Sequence, residues 1–318
     1  ALTTAQISSL TTTQVGGLES TDMGVLSSTQ IKSITSAQIK ALTTTQLGGL
    51  ESTDVESLTT AQISALTTEQ IAALTTIQIG SLTSTQMDAL SVTQSAALGS
   101  NSIAAMTTTQ IGKLTRKRIE ALTTTQVLAL TTTQIVSFNP GQMGGFTTTQ
   151  VSVLTTQQVN VLTSDQINHL TTQQVGLGLT VTQITSLSTT QVSAFTDKQI
   201  AALSSTQVGS LESADMGAMT VKQLNALSSL QIAALGMAQL VGLGSGSIGN
   251  LSTAQMKGLT ATQIEALDTR QVGGLTATQI KALTTTQVSG FESGDIAALN
   301  TDQIKGLTSA QISVLTVT

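Results

Sequence analysis

Residues 121–144 read Ala121-Leu122-Thr123-Thr124-Thr125-Gln126-Val127-Leu128, then Ala129-Leu130-Thr131-Thr132-Thr133-Gln134-Ile135-Val136, then Ser137-Phe138-Asn139-Pro140-Gly141-Gln142-Met143-Gly144. One eight-letter word is written three times, and the third copy carries the chain's only proline. Numbering the word from one to eight puts Leu or Phe at position two, Thr or Asn at three, Gln at six and an aliphatic residue at seven. Repeats of this kind decide a fold before any single residue does.

Outward from this stretch the frame never leaves the chain. It holds for 22 octads over residues 1–176, meets one extra residue at Leu177, resumes for 17 octads over 178–313, and closes on a partial octad, 314–318. The reading is a single repeat array, 1–318. Position two is Leu except at Ile34, Met106, Phe138, Phe146, Phe195, Met219 and Phe291, so all four Phe share one column. Position six is Gln in 32 of 39 octads, and position seven is apolar in all but one, at Ser95.

One continuous helix cannot use this word. Eight residues advance about 800°, so an apolar pair would precess by about 80° per octad and build no seam. A short helix per octad fits. Thr at position three is then the N-cap and Gln three residues later closes a capping box. Position two and position seven become the hydrophobic staple. The 137–144 copy tests that frame: Asn139 falls on the N-cap and Pro140 on the first helical position, where a missing N–H costs nothing. Of 26 Gly, 20 fall at positions eight and one, which suits a helix exit. The expected fold is an all-α solenoid of very short capped helices, because a helix of five to seven residues needs neighbours to persist. A β-solenoid is the alternative, since Thr-rich runs favour strands and a corner in each octad could turn both apolar columns inward.

Octads without Gln at position six are numbers 3, 7, 13, 15, 27, 31 and 37, all odd. That parity points to two octads per coil. The word Gly17-Leu18-Glu19-Ser20-Thr21-Asp22-Met23-Gly24 returns as Ser210-Leu211-Glu212-Ser213-Ala214-Asp215-Met216-Gly217, an echo at 24 octads.

Composition narrows the function. Charged residues make up 9% and aromatics 1%; there is no Cys, no Trp, no Tyr and one His. Thiol chemistry, zinc sites and a Ser-His-Asp triad lack their parts, and an enzyme is not expected. The net charge of −5 argues against nucleic acid. Polar residues break every apolar run well short of about 18 residues, so no transmembrane helix is expected. Mean hydropathy is +0.25, and no cofactor is implied.

Few positions are left for chemistry. Four octads pair Glu at position three with Asp at six: Glu19 and Asp22, Glu51 and Asp54, Glu212 and Asp215, Glu292 and Asp295. Such pairs are calcium candidates, although acids also favour a helix start. Lys113, Arg116, Lys117 and Arg118 crowd into one octad as a docking patch for an acidic partner, or as a solvated face. His169 has no second His or Cys and reads as packing or surface. Gly242-Leu243-Gly244-Ser245-Gly246-Ser247 looks like a phosphate loop, but it lacks the Lys-Ser/Thr ending and reads as a degenerate octad. Ser95 and Leu177 read as tolerated defects or a local bend. Thr and Ser at positions four and five form hydroxyl rows open to O-linked sugars, and Asn250-Leu251-Ser252 is a formal glycosylation sequon.

The words Leu-Thr-Thr-Thr-Gln-Ile at Leu130–Ile135 and Leu-Thr-Thr-Thr-Gln-Val at Leu122–Val127 resemble the octapeptide arrays of very large bacterial secreted and surface adhesin-like proteins, along the whole chain. That resemblance implies an extracellular or cell-surface structural role. The expected function is a rod or filament segment of an extracellular fibre or adhesin shaft, self-associating end to end or side by side. The alternative is a binding module whose hydroxyl rows engage ice, water or polysaccharide.

Overall fold

The computed structural model describes residues 2–315. These residues fold into one short helix per octad, each of four to six residues, and contain no strand. The β-solenoid is therefore set aside. The described chain falls into two compact units divided at the Val161–Leu162 bond. The repeat frame runs through that boundary without a break in the sequence.

The octad forms a helix for the reasons its letters give. At the third copy of the opening stretch, the Gln142 N–H donates to Asn139 Oδ1 at 3.0 Å and the Asn139 N–H donates to Gln142 Oε1 at 2.8 Å. Pro140 occupies the first helical turn. At Thr123 and Gln126 the reciprocal bonds are 2.7 and 3.2 Å. Each such box satisfies two of the four N–H groups that a helix start leaves without partners. The exit is as regular. Leu130 and Thr131 are extended, and the Leu130 N–H closes the helix on the Val127 carbonyl at 3.2 Å. Two extended residues then carry the chain into the next cap.

No described residue has positive φ. The glycines at positions eight and one are thus not left-handed helix terminators, as an exit role would suggest. Many of them are there for close approach, although a Cβ at Gly48 or Gly112 would meet nothing within 4 Å. A Cβ on Gly49 would run into the Ser20 carbonyl, and one on Gly242 into the Ser213 carbonyl. Only a bare α-carbon lets those helix ends touch.

Within each unit, each helix packs on a helix three octads away. Thr4–Ser9 lies against Ser28–Ser33, Thr12–Gly16 against Ser36–Ala41, and Met237–Gly242 against Ser213–Ala218. Side-chain links between coils reach 28 and 31 residues back, so a coil takes between three and four octads. This corrects the two-octad coil. Two helices back to back could bury only one side of each. Three or more surround an axis, and both apolar columns turn toward it. Ile119, Val127 and Ile135 at position seven are 0–2% exposed, and Leu122, Leu130 and Phe138 at position two are 2–5% exposed. Phe138 and Phe146 meet edge to face, ring centroids 5.2 Å apart, so neighbouring position-two side chains share one core. The odd-number pattern has no counterpart in this stacking.

Leu177 is absorbed without disturbing either side. The helix Gln174–Gly178 is a π-helix, and its exit bond runs five residues, from the Leu179 N–H to the Gln174 carbonyl at 2.9 Å, where other octads span three. The inserted leucine is pushed outward and is 78% exposed. A single-turn π-bulge is how a helix accommodates one extra residue. Links that span the bulge lengthen by one: Gln199 reaches Ile167 and Leu170, 32 and 29 residues back.

Candidate functional site

The side chain that organises each unit is the position-six Gln. Its Oε1 accepts the N-cap N–H of its own octad, which the capping box requires. Its Nε2 does something a cap does not need. Gln110 Nε2 donates to the Ile79 carbonyl at 2.8 Å and to the Leu82 carbonyl at 2.6 Å. Gln62 reaches Ile31 and Ile34, both at 2.7 Å; Gln279 reaches Ile248 at 2.9 Å and Leu251 at 2.7 Å. Each pair of acceptors flanks the exit of a helix in the preceding coil. The amide therefore starts one helix and ties down the end of another. Gln110 and Gln62 are each 2% exposed, so these bonds are made away from water. This clamp is absent from the sequence reading, where capping alone accounts for the Gln. The signal lay in what position six leaves out. A capping box takes Glu as readily as Gln, yet no octad has Glu there. Only the amide offers an N–H.

Arg118 stands in for Gln and makes the same reach. Its guanidinium donates to the Asp88 and Leu90 carbonyls, the latter at 2.7 Å, and pairs with Asp88 Oδ1 at 3.0 Å. The side chain is turned inward and 9% of the residue is exposed, which removes it from the expected docking patch. Arg116 Nε donates to the Gly141 carbonyl at 2.6 Å in the next coil, while Lys113 and Lys117 are exposed. The four basic residues thus divide between holding coils together and facing solvent.

The acidic octads follow the cap plan. The N–H groups of Glu19, Glu51, Glu212 and Glu292 donate to Asp22, Asp54, Asp215 and Asp295 at 2.9, 3.0, 2.9 and 3.1 Å. Among the described residues no group of three or more His, Cys, Asp or Glu is gathered as a metal site would need. His169 caps a helix exit in solvent, with Nδ1 2.8 Å from the Asp165 carbonyl. Gly244 in the phosphate-loop look-alike is a helix N-cap, and Gly242 is a packing contact. Ser95 Oγ is the one buried side-chain polar atom among the described residues without a hydrogen bond.

Concave surfaces differ in character along the described residues. An apolar pocket on the first coil is lined by Leu2, Ile7, Leu10, Val15, Leu18 and Val25. A polar groove in the second unit is lined by Asp165, Asn168, Ser193, Thr196, Asp197 and Lys222. No helix among the described residues is long and apolar enough to cross a membrane.

Six stretches of the chain, 15–52, 47–84, 136–172, 208–245, 242–285 and 288–318, match the ALTTAQ repeat family and together cover more than half of it. The chain belongs to the ALTTAQ repeat family. Its first six residues, Ala1 to Gln6, spell the family's word. Ser95, Gly99, Arg118 and Leu177 lie outside the matched stretches, whereas the degenerate octad at 242–249 lies within them. No curated protein matched the chain. ALTTAQ repeats in this chain are a structural repeat, built as helical solenoid units.

Proposed function

We propose that this ALTTAQ array serves as a rod or filament segment of an extracellular fibre or adhesin shaft, without catalytic activity of its own. One observation carries the reading. In the ordinary octad the chemically able side chains are already spent: Thr caps, Gln clamps, Leu and Ile fill the core, and what remains outward is hydroxyl and alanine surface. An array of this kind transmits position along a chain. Self-association, end to end or side by side, is part of this proposal. Sedimentation velocity over a wide concentration range tests that part. Species heavier than the 32.5 kDa monomer should grow with concentration; a monomer throughout would contradict it. Antibody labelling of intact source cells tests the location, and signal only after permeabilisation would contradict it.

The polar groove of the second unit favours one second reading, a polysaccharide-binding surface. Asp, Asn, Thr and Lys side chains along an open groove suit sugar hydroxyls. Glycan-array binding that is lost in an Asp197→Ala, Lys222→Ala variant would support it, and no binding to any glycan would dismiss it.

A further inference from the structure

The clamp needs an N–H donor at position six, and an ionised carboxylate has none. Asp54, Asp215 and Asp295 occupy that position on the inside of their units, 7%, 3% and 4% exposed. Asp295 keeps half of the Gln's duty, accepting the Glu292 N–H at 3.1 Å. The other half is missing. Its neighbours show what that half is: Gln287 donates to Met256 and Leu259, the former at 2.7 Å, and Gln303 to Val272 and Leu275 at 3.1 and 2.7 Å. Counted back by the same 31 and 28 residues, the carbonyls that Asp295 leaves without a clamping donor are those of Ile264, which keeps the Leu267 N–H at 3.1 Å, and Leu267.

We propose that the coil junction at Asp295 is an acid-tightened seam, in which protonation of one buried carboxyl removes a charge from between coils and supplies an O–H donor in place of the N–H that Gln provides elsewhere. The charged groups around it do not neutralise it. Glu292, on its own helix, and Asp268, at the N-cap of the helix Thr269–Gly273 packed beneath, both carry the same sign. Arg270, the one cation on that helix, is turned to solvent and bound to Asp268 at 3.0 Å, its side chain 87% exposed. Glu265, which ends the helix before, is exposed. Burial pushes the Asp295 carboxyl above its usual value of 3.8, and repulsion from Glu292 and Asp268 adds to it, against the Glu292 N–H, which favours the ion.

The direction follows from linkage. A carboxyl whose native pKa exceeds its unfolded one binds its proton more tightly when folded. Stability therefore rises as pH falls through the native value toward 3.8, and the gain is absent at neutral pH. Asp268 runs the other way. The Gln271 N–H and then Arg270 hold its pKa below the usual value, so its contribution is present at neutral pH and lost on strong acidification.

Thermal melting of the whole chain from pH 7 to pH 4 tests the seam, comparing wild type with Asp295→Asn and Asp295→Gln, and using exposed Asp302→Asn as control. At pH 7 the Asn and Gln variants should melt about 2–4 °C above wild type. The Asn advantage should close as pH approaches 4, and the control should show no such closing gap. Variants that melt at or below wild type at pH 7, or an Asn gap that stays constant with pH, would overturn the proposal.

Discussion

A carboxamide is the smallest side-chain group that accepts from one backbone and donates to another in the same plane. The octad uses both ends. Replacing Gln110 by Glu keeps the acceptor for the Thr107 N–H but removes the donor to Ile79 and Leu82. The Leu82 carbonyl then loses its partner, the Ile79 carbonyl keeps only the Leu82 N–H, and a charge enters the core. Unmade bonds of this kind cost about 1–3 kcal/mol each. Gln110→Glu is expected to lower stability by at least that much at neutral pH, read by chemical denaturation, and Gln110→Met to cost less than Glu because it brings no charge. Ser95 is the opposite case. Its hydroxyl sits in the apolar column, 2% exposed and unbonded. Ser95→Val removes an unsatisfied polar atom and adds packing, so a gain of about 1 kcal/mol or more is expected in the same measurement. A loss would mean that the hydroxyl has a partner, such as an internal water.

At the scale of the element, a helix of four to six residues has no stability of its own. Its caps fix where it starts and the packing of its ends fixes whether it persists. Much of this was legible in the octad. The N-cap at position three, the staple at two and seven, and Pro140 at the first turn are all local relations, and a local relation can be read from a short word. The coil was not legible, because what sets it lies 25–31 residues away. Ser20 and Gly49 touch, as do Ser213 and Gly242, and neither pair is marked in its own octad except by the glycine. Arg118 illustrates the same limit. Among Lys113, Arg116 and Lys117 it reads as surface charge, yet its Asp88 partner lies 30 residues back, far outside any local window. Gly49→Ala is expected to cost about 1–3 kcal/mol through overpacking, whereas Gly48→Ala, whose added methyl meets nothing within 4 Å, should cost nothing and could gain through helix propensity. Equal effects at the two positions would contradict a close-approach role. Deleting Leu177 should turn the π-turn into an ordinary octad exit. The expected outcome is an unchanged circular dichroism spectrum and a melting temperature no lower than wild type.

At the scale of the molecule, each unit is a stack in which an octad touches only its chain neighbours and those about three octads away. Stability in such a stack is a sum of local terms, so damage should stay local. In Gln110→Glu, faster amide exchange is expected around residues 79–82 and 107–114 and not in the second unit, which hydrogen-exchange mass spectrometry resolves; loss of protection across both units would mean one cooperative block. The sparse charge belongs to the same design. With Gln doing the work between coils, ion pairs such as Arg118 and Asp88 are exceptions in the column.

The central claim is that a coil takes between three and four octads, and the chain's lack of cysteine makes a direct test simple. A Cβ added at Gly306 would lie 3.2 Å from that of Ala277, near disulfide range after a small adjustment. Ser293 stands at the same octad position as Ala277, two octads on. The measurement is disulfide yield under mild oxidation in two double variants, Ala277→Cys with Gly306→Cys, and Ala277→Cys with Ser293→Cys. The structure requires an intramolecular disulfide in the first and a free dithiol in the second. The reverse result, a bond at 277–293 and none at 277–306, would contradict the coil and the glutamine clamp built on it.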